Sequence, residues 1–396
     1  MREVLMVLLN HHASHNTALD AVDAEALGGD AAQRVAAFLA WRDPHAETPL
    51  AALPDLAAAL GVAALHVKDE GKRLGLGSFK ALGGAYAVVL LVLEEATRQL
   101  GRPVALEELH SPAVRAIAAG LVFACATDGN HGRSVAQGAQ LVGARAVIFV
   151  HALVSQNRID AIARFGAEVR RVDGNYDESV DEATRVATRE GWIPVSDTSW
   201  PGYERIPLMV MQGYTAMIHE SLQRLDAPPT HVFVQAGVGG VAAAVAGHLA
   251  LRFGDRRPVF VVVEPQSAAC ILEAARTGVP SRIPHEAPTV MAMLECCEAS
   301  PVAWRVLSRV ADGFMTVADE EAVAVMNRLA RPVGNDPAIV AGESGGAGLA
   351  GLVQVAGNPA LRAQLGLNAA ARVLVFNTEG ATDPARYLEL VGLAAA

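Results

Sequence analysis

Gly75-Leu76-Gly77-Ser78-Phe79-Lys80-Ala81-Leu82-Gly83-Gly84 is the stretch on which the reading of this chain turns. It holds Lys80, one of three lysines in 396 residues; Lys68 and Lys72 lie just upstream, and arginine supplies the other 29 of 32 basic side chains. A composition that uses arginine almost everywhere has kept an amine beside a run of glycines. Only an amine can lose its proton and attack a carbonyl to form a Schiff base; a guanidinium stays charged. The competing reading is a solvated lysine at a helix start. Ser78 is expected to cap that helix, which continues through Tyr86 and Leu91 to about Leu100 and stops at Gly101-Arg102-Pro103.

Strands and helices alternate outward from this stretch. Helices are expected at 31–42 and 54–61, divided by Thr48-Pro49-Leu50, and a strand runs from Ala64 to Lys68. Downstream, strands at 121–126, 144–150, 168–172 and 192–196 are separated by helices at 131–142, 156–165 and 176–190. A longer helix, 208–225, leads to a second series with strands at 232–235 and 259–264, helices at 241–252, 301–310 and 319–331, and a last strand at 373–377. The Pro- and Gly-rich part, 278–290, reads as a loop. Such alternation is the pattern of an α/β protein with parallel sheets covered by helices.

Composition narrows the function classes. A net charge of −10 argues against nucleic acid and anionic membranes as partners, both of which need basic patches. Half the residues are apolar, yet no run approaches the roughly 18 needed to span a membrane. The run from Val4 to Leu9 is too short for a secretory signal and lacks a small-residue cleavage site, so a cytoplasmic protein is expected. The cysteines (Cys125, Cys270, Cys296, Cys297) show no metal-binding spacing; Cys270 and one of the adjacent pair have the chance to meet, but reduced thiols are the default. No metal site is expected.

Three further motifs carry chemistry. Gly237-Val238-Gly239-Gly240 separates a strand from a helix, where backbone N–H groups converge on an anion at the helix's positive end. It lacks the lysine of a P-loop, and its glycines are too close for a dinucleotide fingerprint, so the phosphate of a small cofactor fits better than either, with a simple tight turn as the equal competing reading. Ala126-Thr127-Asp128-Gly129-Asn130-His131-Gly132 joins a strand's C-terminal end to a helix, the place where open α/β sheets bind ligands. Its N–H groups suit a carboxylate and Asn130 suits a phenolic oxygen; His131 is read as a packing or hinge residue before it is read as a base. Asn377-Thr378-Glu379-Gly380 ends the last strand, and the Thr378 hydroxyl there faces either a ring nitrogen or the duty of capping the next helix.

Together these stretches resemble the fold-type II pyridoxal-phosphate enzymes, the group of threonine and serine dehydratases and tryptophan synthase β, over nearly the whole chain from Thr48-Pro49-Leu50 onward. GSFKALGGAYA (77–87), ATDGNHGR (126–133), VSDTSW (195–200), MQGY (211–214), QAGVGG (235–240), GESGGAG (342–348) and NTEGATDP (377–384) look, more closely, like the diaminopropionate ammonia-lyase family. The resemblance implies two domains, each a mostly parallel twisted sheet flanked by helices. Residues 1–83 and 201–396 would form the large cofactor-binding domain. Residues 84–200 would form a small mobile domain that carries the substrate-carboxylate loop and closes over the substrate. It implies that Lys80 carries pyridoxal 5'-phosphate, with Gly237, Val238, Gly239 and Gly240 around the phosphate. Asn130 would meet the phenolic oxygen and Thr378 the ring nitrogen, with Phe79 and Glu343 beside the cofactor. Thr127, Asp128, Asn130, His131 and Asp197 would bind the substrate, and a homodimer is expected.

Asp128 departs from the dehydratases, which have a small or hydroxyl residue there. A carboxylate at that place repels a hydroxy acid's carboxylate and welcomes a second ammonium, and Asp197 is the second such anion; the competing reading of Asp197 is helix capping before Trp200-Pro201. The implied reaction is elimination of ammonia from a 2,3-diamino acid to pyruvate and two ammonia, with Lys80, Asp128 and Asp197 as the catalytic groups. Lys80 would serve the L isomer from one face and Asp128 the D isomer from the other. A serine/threonine or hydroxyaspartate dehydratase, and a catalytically silent sensor with the same fold, remain the alternatives.

Overall fold

Near-continuous runs of valine, leucine and phenylalanine build the larger sheet, as they do wherever parallel strands are covered on both faces. In the computed structural model the described residues are 7–42, 46–127, 129–152, 154–174, 176–284 and 287–395, less the side chains of 176 and 177. Among them the larger sheet runs Leu8–Leu9, Gly313–Val317, Val259–Pro265, His231–Gln235, Arg372–Asn377, Ala64–Asp69, Leu50–Ala52. The five inner strands are parallel, and the short outer strands pair antiparallel to their neighbours. Val67, Phe233, Val261, Val263, Val373 and Val375 point into one core, and Val232, Val234, Val262, Leu374 and Phe376 are buried on the other face. The second sheet runs Glu168–Val172, Arg145–His151, Val122–Ala126, Ile193–Pro194 and is parallel throughout.

The chain divides into two compact units. One contains 1–31, 47–79 and 217–396; the other contains 32–46 and 80–216. The sequence expectation sets the borders at 84 and 200. The grouping changes at the start of the helix Lys80–Leu100 and again inside the continuous helix Arg205–Arg224, where no local break in the sequence marks it.

Four local expectations are corrected. Ser78 does not cap the helix at Lys80: its hydroxyl is buried with no hydrogen-bond partner among the described residues, because its backbone is paired across to Glu379. The strand expected at 192–196 is only Ile193–Pro194, since Pro194 has no N–H to extend a ladder. Gly313–Val317 is a strand that the helix-flanked, five-residue run did not announce. No helix begins directly after Asp197 or Thr378; the next ones start at Arg205 and Pro384, and Asp383 caps the latter, accepting from the Arg386 N–H at 3.2 Å.

The small residues after Lys80 set how closely its helix packs. A Cβ on Gly138 would lie 2.7 Å from the Ala85 Cα, and one on Gly213 would lie 2.9 Å from the Gly83 Cα. The Ala85 N–H also donates to the Ser134 hydroxyl at 3.0 Å, so the helices Lys80–Leu100 and Asn130–Val142 meet backbone to side chain.

Upstream of Lys80 lies a buried ionic cluster. Arg73 donates to both carboxylates it touches, Glu70 at 2.7 and 2.8 Å and Glu220 at 2.8 and 2.7 Å, while Lys68 donates to Glu220 at 2.5 Å and to the Thr48 carbonyl at 2.8 Å. Two cations face two anions with almost no solvent exposure. Removing one member of such a set leaves a charge unpaired in low dielectric and costs about 3–5 kcal/mol. Glu220→Ala is therefore expected to lose about that much unfolding free energy in urea titrations of the cofactor-free protein; a loss below about 1 kcal/mol, the scale of a surface pair, would show that the cluster does not hold this segment.

Candidate active site

The three lysines separate at once by environment. Lys68 is fully buried and spent on Glu220 and Thr48, and Lys72 is exposed. Lys80 is the first residue of its helix, with its side chain 20 % exposed and its amine paired to the Asp197 carboxylate. Asp197 follows the strand Ile193–Pro194, whose neighbour Val122–Ala126 leads to Thr127. Burial alone pushes the Asp197 carboxyl up, but Lys80, through its charge and its hydrogen bond, holds it well below the usual carboxylate range. Asp197 is thus an anion built to hold an ammonium.

His131 is buried in the same unit. Its Nε2 donates to the Val195 carbonyl at 2.7 Å, which fixes the tautomer because a carbonyl can only accept. Burial, more than any neighbouring charge, lowers its pKa, so the ring stays neutral, and Nδ1 finds no partner among the described residues. Asn130 opens the helix Asn130–Val142 and is buried. The Thr127 hydroxyl accepts from the N–H groups of Gly129 at 3.0 Å and Gly132 at 3.1 Å, so it shapes the turn that presents that helix's N-terminus. Asp128 lies outside the described residues. Tyr214, quoted in the sequence only as part of a string, packs its ring against Gly83; burial, eased by the Lys80 charge, keeps its phenol protonated far above the usual range.

The other candidates sit in the first unit. Gly237, Val238 and Gly239 link the strand His231–Gln235 to the helix Gly240–Phe253. Gly239 has φ +99°, and a Cβ there would lie 2.8 Å from Ile271 and 3.1 Å from Ala303; a Cβ on Gly237 would lie 2.9 Å from the Cys296 sulfur. The loop therefore accepts nothing larger than glycine at two positions, leaving bare backbone N–H groups at a helix N-terminus. Thr378 ends the strand Arg372–Asn377, and its carbonyl accepts from the Phe79 N–H at 2.9 Å, one residue before Lys80 in the chain. Its hydroxyl oxygen accepts from the Gln235 side-chain amide at 2.7 Å. Glu343 is buried in the turn that precedes the helix Ala347–Ala356. Sequence reasoning missed Gln235; its place two residues before Gly237 was the only available signal. Among the described residues no three His, Cys, Asp or Glu side chains group to hold a metal, and no helix is long and apolar enough to cross a membrane.

A family model described as pyridoxal-phosphate dependent enzyme matches residues 42–379. The diaminopropionate ammonia-lyase of Escherichia coli K12 is 41 % identical over 350 residues, 87 % of each chain. The chain belongs to the pyridoxal-phosphate dependent enzymes, among the diaminopropionate ammonia-lyases. The crystal structure of the Escherichia coli diaminopropionate ammonia lyase in complex with an aminoacrylate-PLP azomethine reaction intermediate superposes with a TM-score of 0.87 at 37 % identity, covering 98 % of this chain and 97 % of that one. The same enzyme in complex with D-serine gives 0.88 at 37 % identity, with 98 % and 96 % covered. The expected fold-type II architecture and the cofactor, pyridoxal phosphate, are both borne out.

The residues present fit that cofactor. The glycine turn at a helix N-terminus offers a cradle that a Cβ would distort, and the Thr378 hydroxyl offers one polar contact of adjustable direction. Gly239→Ala places a side chain at a left-handed φ, a strain of about 1–3 kcal/mol, and against Ile271. The folded variant is expected to retain the cofactor at least ten-fold less tightly on dialysis against phosphate buffer; unchanged retention would take this loop away from the phosphate.

Proposed function

We propose that this chain eliminates ammonia from 2,3-diaminopropionate, consuming one water to give pyruvate and two ammonia, and that it acts on both the D and L isomers. The observation that carries the proposal is the pairing of Lys80 with an anionic Asp197. A carboxylate held charged for one ammonium suits a substrate that brings a second. When bound, pyridoxal phosphate supplies an electron sink that weakens the Cα–H bond.

The roles of the chain's own groups follow from their chemistry. The Lys80 amine holds the cofactor at rest and, once displaced, takes the Cα proton of the L isomer. Asp197 receives the substrate's β-ammonium, and its low pKa makes it a counter-ion and not a proton donor. The N–H groups of the turn shaped by Thr127, with Asn130, hold the substrate carboxylate. Neutral His131 stays tied to Val195 and lines this site without carrying charge. Asp128, two residues before Asn130, serves the opposite face and takes the D proton, provided burial raises its pKa toward neutrality. Gly237 to Gly240 hold the phosphate, with Phe79, Glu343 and Thr378 around the ring. The released enamine is hydrolysed by water. In this reading the enzyme works in the cytoplasm as a homodimer, and its cysteines are free thiols.

Two measurements test it. Borohydride is expected to fix the cofactor covalently to Lys80, seen by peptide mapping; an adduct on Lys68 or Lys72 would overturn the assignment. Pyruvate release should be much faster from 2,3-diaminopropionate than from serine, threonine or hydroxyaspartate, and Asp128→Asn should abolish D-isomer turnover while reducing L-isomer turnover less. Equal loss on both isomers would make Asp128 a binding group, and preference for a hydroxyl substrate would make the chain a dehydratase.

A further inference from the structure

The strand that leads to Asp197 is short and lies at the edge of its sheet. Its last paired residue is Pro194, opposite Ala124, and the Val195 N–H makes one more bond, to the Ala124 carbonyl at 2.8 Å. Beyond that the backbone depends on side chains. His131 donates to the Val195 carbonyl, and the Thr198 N–H donates to the Ser196 hydroxyl at 3.2 Å. The Pro194 carbonyl and the Ser196 N–H are both met by a single atom, the Tyr203 hydroxyl oxygen. It donates to Pro194 at 2.7 Å and accepts from Ser196 at 3.0 Å.

These two bonds do not compete. A phenol has one hydrogen to give and lone pairs with which to receive, and each is used once. Burial pushes the Tyr203 pKa up, so that hydrogen stays in place at neutral pH. Tyr203 is itself fixed by Trp200. The Tyr203 N–H donates to the Trp200 carbonyl at 2.8 Å, the Trp200 N–H returns the bond at 3.3 Å, and the two rings stack with centroids 4.1 Å apart and planes 13° from parallel. The peptide that carries Asp197 is thus clamped between His131 on one side and a rigid aromatic pair on the other.

We propose that Tyr203 is a positioning residue for substrate choice: by bridging Pro194 and Ser196 it holds the Asp197 carboxylate where it meets a β-ammonium, without itself touching the substrate. This rests on the reading that Asp197 receives that ammonium. A charge pair weakens as its partners lose their fixed separation and water enters between them. A β-hydroxyl makes no such pair, so a displaced Asp197 penalises the diamino acid and leaves a hydroxy acid nearly untouched.

The test compares 2,3-diaminopropionate with serine, its β-hydroxyl counterpart, on wild-type holoenzyme, Tyr203→Phe and Asp197→Asn. Serine is read as a substrate or, where turnover is too slow to follow, as a competing ligand. Tyr203→Phe keeps a ring on Trp200 and removes both hydrogen bonds. It is expected to raise KM for 2,3-diaminopropionate about ten-fold with kcat little changed and serine little affected, so the preference for the diamino acid falls about ten-fold. An unchanged preference, whether both ligands weaken equally or neither does, overturns the proposal. Asp197→Asn separates the two layers. If it abolishes the preference and Tyr203→Phe does not, Tyr203 has no such role and Asp197 keeps its own. If Asp197→Asn leaves the preference intact, the reading of Asp197 falls and the proposal with it. Should Tyr203→Phe fail to fold, hydrogen exchange of wild-type holoenzyme decides. The Ser196 amide is expected to exchange at least about a hundred-fold more slowly than an exposed amide, and exchange at the exposed rate overturns the clamp.

Discussion

A guanidinium with no solvent exposure decides how the chain runs before Lys80. Arg73 spends its donors on Glu70, Glu220 and the Thr48 hydroxyl, tying together residues distant in sequence. Burial pulls its pKa down, yet Glu70 and Glu220 more than reverse this, so the charge is never in question. Glu220 likewise ends below its ordinary value, because the hydrogen bond and charge of Arg73 and the charge of Lys68 outweigh its burial. Lys68 is explained by the same cluster: a compact ammonium reaches the Thr48 carbonyl and Glu220 together. The segment that follows is then stitched to the last strand's end, with the Gly380 N–H donating to Gly77 at 2.9 Å and the Phe79 N–H to Thr378. The peptide before Lys80 is thus held by buried ion pairs and by backbone bonds to the last strand's end.

Beyond that network the candidate site is a problem of proton direction. Val195 decides which imidazole nitrogen of His131 bears hydrogen, and the carbonyls of Gly345 and Phe376 decide which end of the Gln235 amide faces Thr378. In both cases a backbone carbonyl sets the answer, since it can accept and never donate. Neither group needs an altered charge to be useful. Their fixed orientation replaces what water would otherwise supply and then have to reorganise.

The strand–helix alternation, the Gly237–Gly240 turn and the isolation of Lys80 were legible because each is a local pattern. The strand Gly313–Val317 was not, since a five-residue run between two helices is too short to carry a distinguishing periodicity. Ser78 misled because a hydroxyl before a helix normally caps it, whereas here the strand-like pairing with Glu379 fixes its backbone first. That 32–46 groups with 80–216 is a tertiary fact: Phe38 meets the Tyr86 ring at 5.4 Å and Trp41 stacks on His110 at 5.0 Å, contacts without a local signature. Gln235 was invisible for the same reason. A glutamine ending a strand says nothing until the fold sets Thr378 and three carbonyls around it.

The Lys80–Asp197 pair carries the argument about substrate choice one step further. Burial pushes the Asp197 carboxyl up, and Lys80 is the largest influence that offsets it. With the Lys80 amine on the cofactor, as proposed above, that compensation would weaken, and a buried carboxylate without a counter-ion is costly. A substrate with a β-ammonium would restore the pairing; one with a β-hydroxyl would not. On this physics a diamino acid is favoured less by an added attraction than by the unpaired charge that every hydroxy analogue leaves behind.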